Sequence, residues 1–97
     1  MVLMSVGLLI LLLHLPGCRS LKEKRSRLKP LLVQLRKEFN ISASEVDHND
    51  IWQNSVIACS TVSNNKNYSR NRLQKIVPWI EANWPNIYVI DESIELL

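Results

Sequence analysis

Ninety-seven residues with 46% hydrophobic and 22% charged side chains suffice for one globular domain, and exclude both a disordered chain and an array of domains. Two cysteines are too few for a disulfide scaffold, and Gly7 and Gly17 are the only glycines, which disfavours a glycine-rich phosphate loop and nucleotide-dependent chemistry. The net charge of +3 is mild but lopsided: eight of the twelve Lys and Arg fall between Arg19 and Lys37 against one acid, Glu23, while Asp91–Leu97 holds three acids and no base.

The first element is Val6–Cys18, VGLLILLLHLPGC, which has two readings. One is the apolar core of a secretory signal ending in a lipoprotein-like Leu15-Pro16-Gly17-Cys18; the other is a central strand. A signal needs a basic segment ahead of its core, and Met1–Ser5 holds no Lys or Arg. The run also falls short of the roughly 18–20 apolar residues of a membrane span. Directly after it, Ser20-Leu21-Lys22-Glu23 is a capping box that opens an amphipathic helix. The strand reading is therefore preferred, over Ser5–Leu15, and a cytoplasmic chain with reduced thiols follows from it. Leu8, Ile10 and Leu12 point to one face and Leu9, Leu11 and Leu13 to the other. A strand apolar on both faces is covered on both. Helices cover one, so the second predicts a homo-oligomer formed through the sheet face.

The next element is a helix from Leu21 to about Phe39, with Leu21, Leu28, Leu31, Leu32, Leu35 and Phe39 in one apolar stripe. Pro30 predicts a kink within it, and Asn40 a stop. Short strands follow at Ile41–Val46 and Val56–Val62, joined by the polar connection Asp47–Asn54. After the turn-rich Ser63–Asn67, a second helix runs to about Asn83, burying Leu73, Ile76, Val77 and Ile80, with a kink expected at Pro78. Trp84-Pro85-Asn86 breaks it, and Ile87–Leu96 is the last strand. The order βαββαβ predicts an α+β, ferredoxin-like single domain over residues 1–97. Its antiparallel sheet has strand order 4-1-3-2, with two helices on one face. That topology brings Pro16–Ser20, Asp47–Asn54 and Trp84–Asn86 to one edge and Ser63–Asn67 to the other.

Arg19-Ser20-Leu21-Lys22-Glu23-Lys24-Arg25, Arg36, Phe39-Asn40, Glu45-Val46-Asp47-His48-Asn49-Asp50-Ile51-Trp52-Gln53 and Val62-Ser63-Asn64 together resemble the YlxP-like family, a bacterial domain of unknown function. The resemblance spans nearly the whole chain. It implies a ferredoxin-like fold and a cytoplasmic location. Family members are often encoded beside translation initiation and ribosome-maturation factors, which implies work on RNA or the ribosome. No catalytic residue carries over from it.

Two constellations carry chemistry. Lys22, Arg25, Lys29 and Arg36 share one flank of the helix stripe, with Arg19 just before it, while Lys24 and Arg27 lie on the other flank. Such bases neutralise phosphates without reading sequence, and bases near a helix N-terminus oppose its dipole, so a solely structural role fits them less well. Their competing role is a solvated face whose aliphatic stems cover the core. The second is Asp47, His48 and Asp50, with His14 and Cys18 brought near by topology. These residue types could bind a metal or exchange protons, but the spacing matches no strong metal motif, and Asp and Asn are ordinary turn residues. Trp52 is expected to pack under this loop and Gln53 to tie down backbone. Trp79 and Trp84 could stack bases or anchor a subunit interface, helical spacing putting Trp84 at the core edge and leaving Trp79 less buried, and Cys59 reads as a small buried hydrophobe.

The leading expectation is a non-enzymatic cytoplasmic protein that binds ribosomal or other structured RNA through Arg19, Lys22, Arg25, Lys29 and Arg36, with Asp47, His48, Asp50, Trp52 and Gln53 shaping the adjacent surface. A homo-oligomeric adaptor comes second, and a metal or acid–base site at Asp47–Asp50 third. No cofactor, membrane or small-molecule substrate is expected.

Overall fold

The computed structural model describes residues 4–97. Along them run β1 (Ser5–His14), α1 (Leu21–Phe39), β2 (Ser42–Asp47), β3 (Asn54–Ser63), α2 (Lys66–Gln74), α3 (Ile76–Asn83) and β4 (Tyr88–Leu96). The strands form one antiparallel sheet in the order β2-β3-β1-β4, the ferredoxin-like arrangement that the element order predicts.

Residues directly opposite in an antiparallel pair point to the same face. Leu9, Leu11 and Leu13 of β1 face Cys59, Ile57 and Ser55 of β3, and all are buried beneath the helices. Onto them pack Leu31 and Leu35 of α1, Leu73 of α2, and Ile76 and Ile80 of α3. At Gly7 a helix side chain comes down close on the sheet: a Cβ there would lie 2.8 Å from Leu73 Cδ1. The opposite face of β1 alternates as half-buried positions, from Val6 to His14.

The cap of α1 forms as expected, with the Glu23 N–H donating to Ser20 Oγ at 3.0 Å. The Glu23 carboxylate reaches past the cap residue to the Arg19 N–H, at 2.6 Å. Pro30 does not end α1. It sits on the exposed side, where the carbonyl of Ser26 that loses its amide partner faces solvent. Asn40 closes the helix in the left-handed conformation, φ 51°.

One correction concerns the second helix. The chain makes two helices there rather than one kinked helix, joined at Lys75. Pro78 has no N–H for the carbonyl of Gln74, and its ring crowds that oxygen, which weakens the helix at the point where α2 ends. A new helix starts at Ile76, and Pro78 falls in its first turn, where no intrahelical amide is required.

Both edge strands carry a bulge at the same end of the sheet. The register shifts between Glu45 and Asp47 on β2, and opposite Leu12 and Leu13 on β4, leaving Val46 and Ile90 without partners and exposed. Such bulges blunt an edge against pairing with further strands. Among the described residues no helix is long and apolar enough to cross a membrane.

Candidate nucleic-acid interface

The three turns predicted to share an edge do so. The Leu15 N–H donates to Gln53 O at 2.7 Å, and Gln53 Nε2 donates to Cys18 O at 3.5 Å. The Arg27 guanidinium donates to Pro16 O at 3.0 Å and to Asn86 O at 2.7 Å. Arg27 is thus a fork holding two turns together, with two of its donors committed to backbone.

Of the predicted phosphate-binding set, Arg19, Lys22, Arg25 and Lys29 project from the surface. Arg25, Lys29 and Arg36 line an open groove of about 330 Å³ between α1 and β2, floored by Leu28, Leu32 and Val33. Among the described residues none of these cations has a carboxylate within 4.0 Å. Arg36 has a double role: its Nε and Nη2 both donate to Ala43 O, at 3.2 and 2.7 Å, tying α1 to β2 from the groove wall.

The one acid on the groove wall, Glu45, is already engaged. Lys24, only 1% exposed, places its ammonium 2.9 Å from Glu45 Oε2, which also accepts from Ser55 Oγ at 2.5 Å. The same ammonium donates to His48 O at 2.7 Å, Asn54 O at 3.3 Å and Asn49 O at 3.4 Å. Lys24 therefore holds the Asp47–Asn54 connection against the first turns of α1. The expected position of Lys24, on the flank opposite the main basic patch, did not include this burial. The signal was its spacing, because Leu21, Lys24, Leu28, Leu31 and Leu35 follow a three-four alternation along the buried stripe. Glu45 was legible in the same way, two residues after the inward-facing Ala43.

The connection itself is a turn. The Asp47 carboxylate accepts from its neighbour's N–H at 2.7 Å and lies 3.7 Å from His48 Nδ1. His48 takes a left-handed conformation, φ 59°, and its carbonyl accepts from the Ile51 N–H at 3.0 Å. Asp50 joins His14, Ile51, Trp52, Gln53 and Asn54 around a shallow depression. Packing of Trp52 under the loop is overturned: it is 52% exposed, and the buried Lys24 ammonium holds the loop backbone instead. Gln53 does tie down backbone, as its bond to Cys18 O shows.

His14 lies beside Asp50 in that depression, but neither it nor Cys18 completes a ligand cluster with Asp47 and Asp50. The His14 ring is hydrogen-bonded through Nδ1 to Asn54 Oδ1 at 2.9 Å, and the buried Cys18 thiol turns to Ser20 O. Among the described residues no group of three His, Cys, Asp or Glu side chains gathers. Burial pushes the Cys59 thiol up to about 12, so it stays a neutral small hydrophobe rather than a nucleophile. Trp79 sits edge-on to Phe39 with ring centres 5.4 Å apart and contacts Trp84 at 5.2 Å, sealing α1 against α3 instead of offering a base-stacking platform.

The sequence profile of a family described as "Protein of unknown function (DUF503)" matches residues 6–94. A curated relative, the "Uncharacterized protein YlxP" of Bacillus subtilis (strain 168), is 35% identical over 63 residues, covering 65% of this chain and 68% of that protein. Among solved structures, the "De novo designed protein Foldit4" superposes with a TM-score of 0.57 over 96% of each chain at 13% identity, a likeness of fold alone.

Proposed function

We propose that this chain, which belongs to the DUF503 family, is a non-enzymatic module that binds structured RNA, ribosomal RNA being the leading case, along the α1–β2 groove. The observation that carries this reading is the set of unpaired cations on the groove wall, Arg25, Lys29 and Arg36, beside an acid already neutralised by Lys24. Surface cations on a protein of ordinary composition tend to sit among acids. Here Lys22, Arg25 and Lys29 fall three and four residues apart along one helix flank, a spacing that can track a phosphate backbone. Arg19 and the Asp47–Asn54 connection lie at the N-terminal end of that flank. The loop's Trp52 and Gln53 are exposed there, able to meet an unpaired base or a backbone. The cytoplasm is the compartment that this reading requires.

A second occupant is an acidic protein segment, favoured by the apolar floor of Leu28, Leu32 and Val33. Pull-down from lysate with and without nuclease separates the two, since an RNA partner disappears after digestion. The quantitative test is a salt titration of binding to a structured RNA. Replacing Lys22, Arg25 and Lys29 together by glutamine leaves Arg36 its structural bonds. It is expected to lower affinity and to reduce the slope of log K against log salt by about two to three. Binding by that variant at wild-type strength and slope would end the proposal.

A further inference from the structure

The sheet face turned away from the helices carries a feature that the groove does not use. Through the strand registers, Leu8 of β1 stands level with Ser60 of β3, Ile10 with Ala58 and Leu12 with Val56. One central strand is a ridge of large side chains, and its neighbour is a furrow of smaller ones. At the same levels β4 presents Glu95, Ser93 and Asp91, and β2 presents Ser42, Ser44 and Asp47. Among the described residues no Lys or Arg lies on this face, so it lacks the cations that nucleic acid or an anionic membrane would need. Among the described residues nothing packs on it, and Val62 and Tyr88 on its central and edge strands are 67% and 54% exposed.

We infer that this face binds a second copy of the same chain, in an isologous dimer whose two-fold axis runs along the strands. That axis lays β1 of each copy over β3 of the other, so Leu8 falls over Ser60 and Ile10 over Ala58: ridge enters furrow. It also lays β4 over β2, bringing Glu95 over the Ser42 hydroxyl, a donor for the carboxylate. Only Asp91 and Asp47 meet as like charges, at the solvent rim. A two-fold axis across the strands instead stacks β1 on β1 and β4 on β4, setting leucine ridge against leucine ridge and Glu95 against Asp91. Shape and charge select the same axis. The size of the face also fits. Four strands about 4.8 Å apart and about 30 Å long outline roughly 600 Å², which rugged side chains raise toward the ~800 Å² per partner of a standard interface.

Sedimentation equilibrium of the full chain, up to about 100 µM, is expected to give twice the 11.2 kDa chain mass. Ala58→Arg fills the furrow with a charge on a face where the monomer has room for it. It is expected to weaken association by about 100-fold or more while circular dichroism and the melting transition of the monomer persist. Ala82→Arg, on the exposed side of α3, leaves the dimer intact. Mixing Ser42→Cys with Glu95→Cys chains is expected to trap an intermolecular disulfide, and the buried native thiols of Cys18 and Cys59 do not compete. A monomer throughout the concentration range overturns the inference, and a dimer unaffected by Ala58→Arg overturns the surface assigned. Neither result touches the groove.

Discussion

Lys24 occupies a leucine's place in the stripe of α1, and four oxygens make that tolerable. Glu45 supplies the countercharge, and the carbonyls of His48, Asn49 and Asn54 take the remaining ammonium protons. Desolvating an ion pair cancels much of its attraction, so the pair adds little against an apolar replacement of both partners. Removing one partner is different, since a charge then stays buried alone. Lys24→Met is expected to lower unfolding free energy by about 3–5 kcal/mol, and the double variant with Glu45→Leu to recover most of that loss, both read by denaturant titration. A full loss persisting in the double variant would show that the carbonyl contacts, not the charge pairing, dominate. The capping residues of α1 and the alternating leucines of β1 were legible because each obeys a local rule. Lys24 was not. Its spacing set it in the stripe, but its charge reads as a surface base until the loop 24 residues away that accepts its ammonium is in place. Trp52, too, was not legible: the loop it was expected to pack beneath is held by Lys24, and the indole is exposed.

At the scale of elements, the basic helix divides its cations between structural and free roles. Arg27 bridges the β1–α1 and α3–β4 turns, and Arg36 fastens α1 to the edge strand β2. Among the described residues the side chains of Lys22, Arg25 and Lys29 make no hydrogen bond or ion pair and stay uncommitted. The guanidinium fork can span two carbonyls that one ammonium cannot reach together. Arg27→Lys should therefore cost about 1 kcal/mol in stability, and loosen the Trp84–Asn86 turn enough to speed proteolysis there. Equal cleavage rates in wild type and variant would show that the turn is held by its own backbone bonds, such as Ile87 N–H to Trp84 O at 3.1 Å. The break between α2 and α3 was half legible. Pro78 marks the disturbance, but whether a helix kinks or restarts depends on how Ile76 and Ile80 must reach the core. No local rule states that.

Across the whole molecule, the groove and the bare sheet face lie in different layers. α1 packs over the buried face of the sheet, so its basic flank points away from the surface assigned to a second copy. The two surfaces meet only at Asp47 on the rim, and this makes their uses separable. A dimer closed through the sheets carries its two grooves on opposite outer sides. A long RNA can then engage both, with the second contact made at a raised effective concentration, whereas a short hairpin occupies only one. Ala58→Arg should accordingly leave hairpin binding and its salt slope unchanged while weakening binding to an RNA long enough to wrap both sides by about 10-fold or more. The glutamine triple variant at Lys22, Arg25 and Lys29 should do the converse, losing RNA and keeping the dimer mass. If Ala58→Arg weakened hairpin and long RNA equally, the groove would depend on dimerisation for its shape rather than for its valence, and the separation of layers would not describe how this protein works.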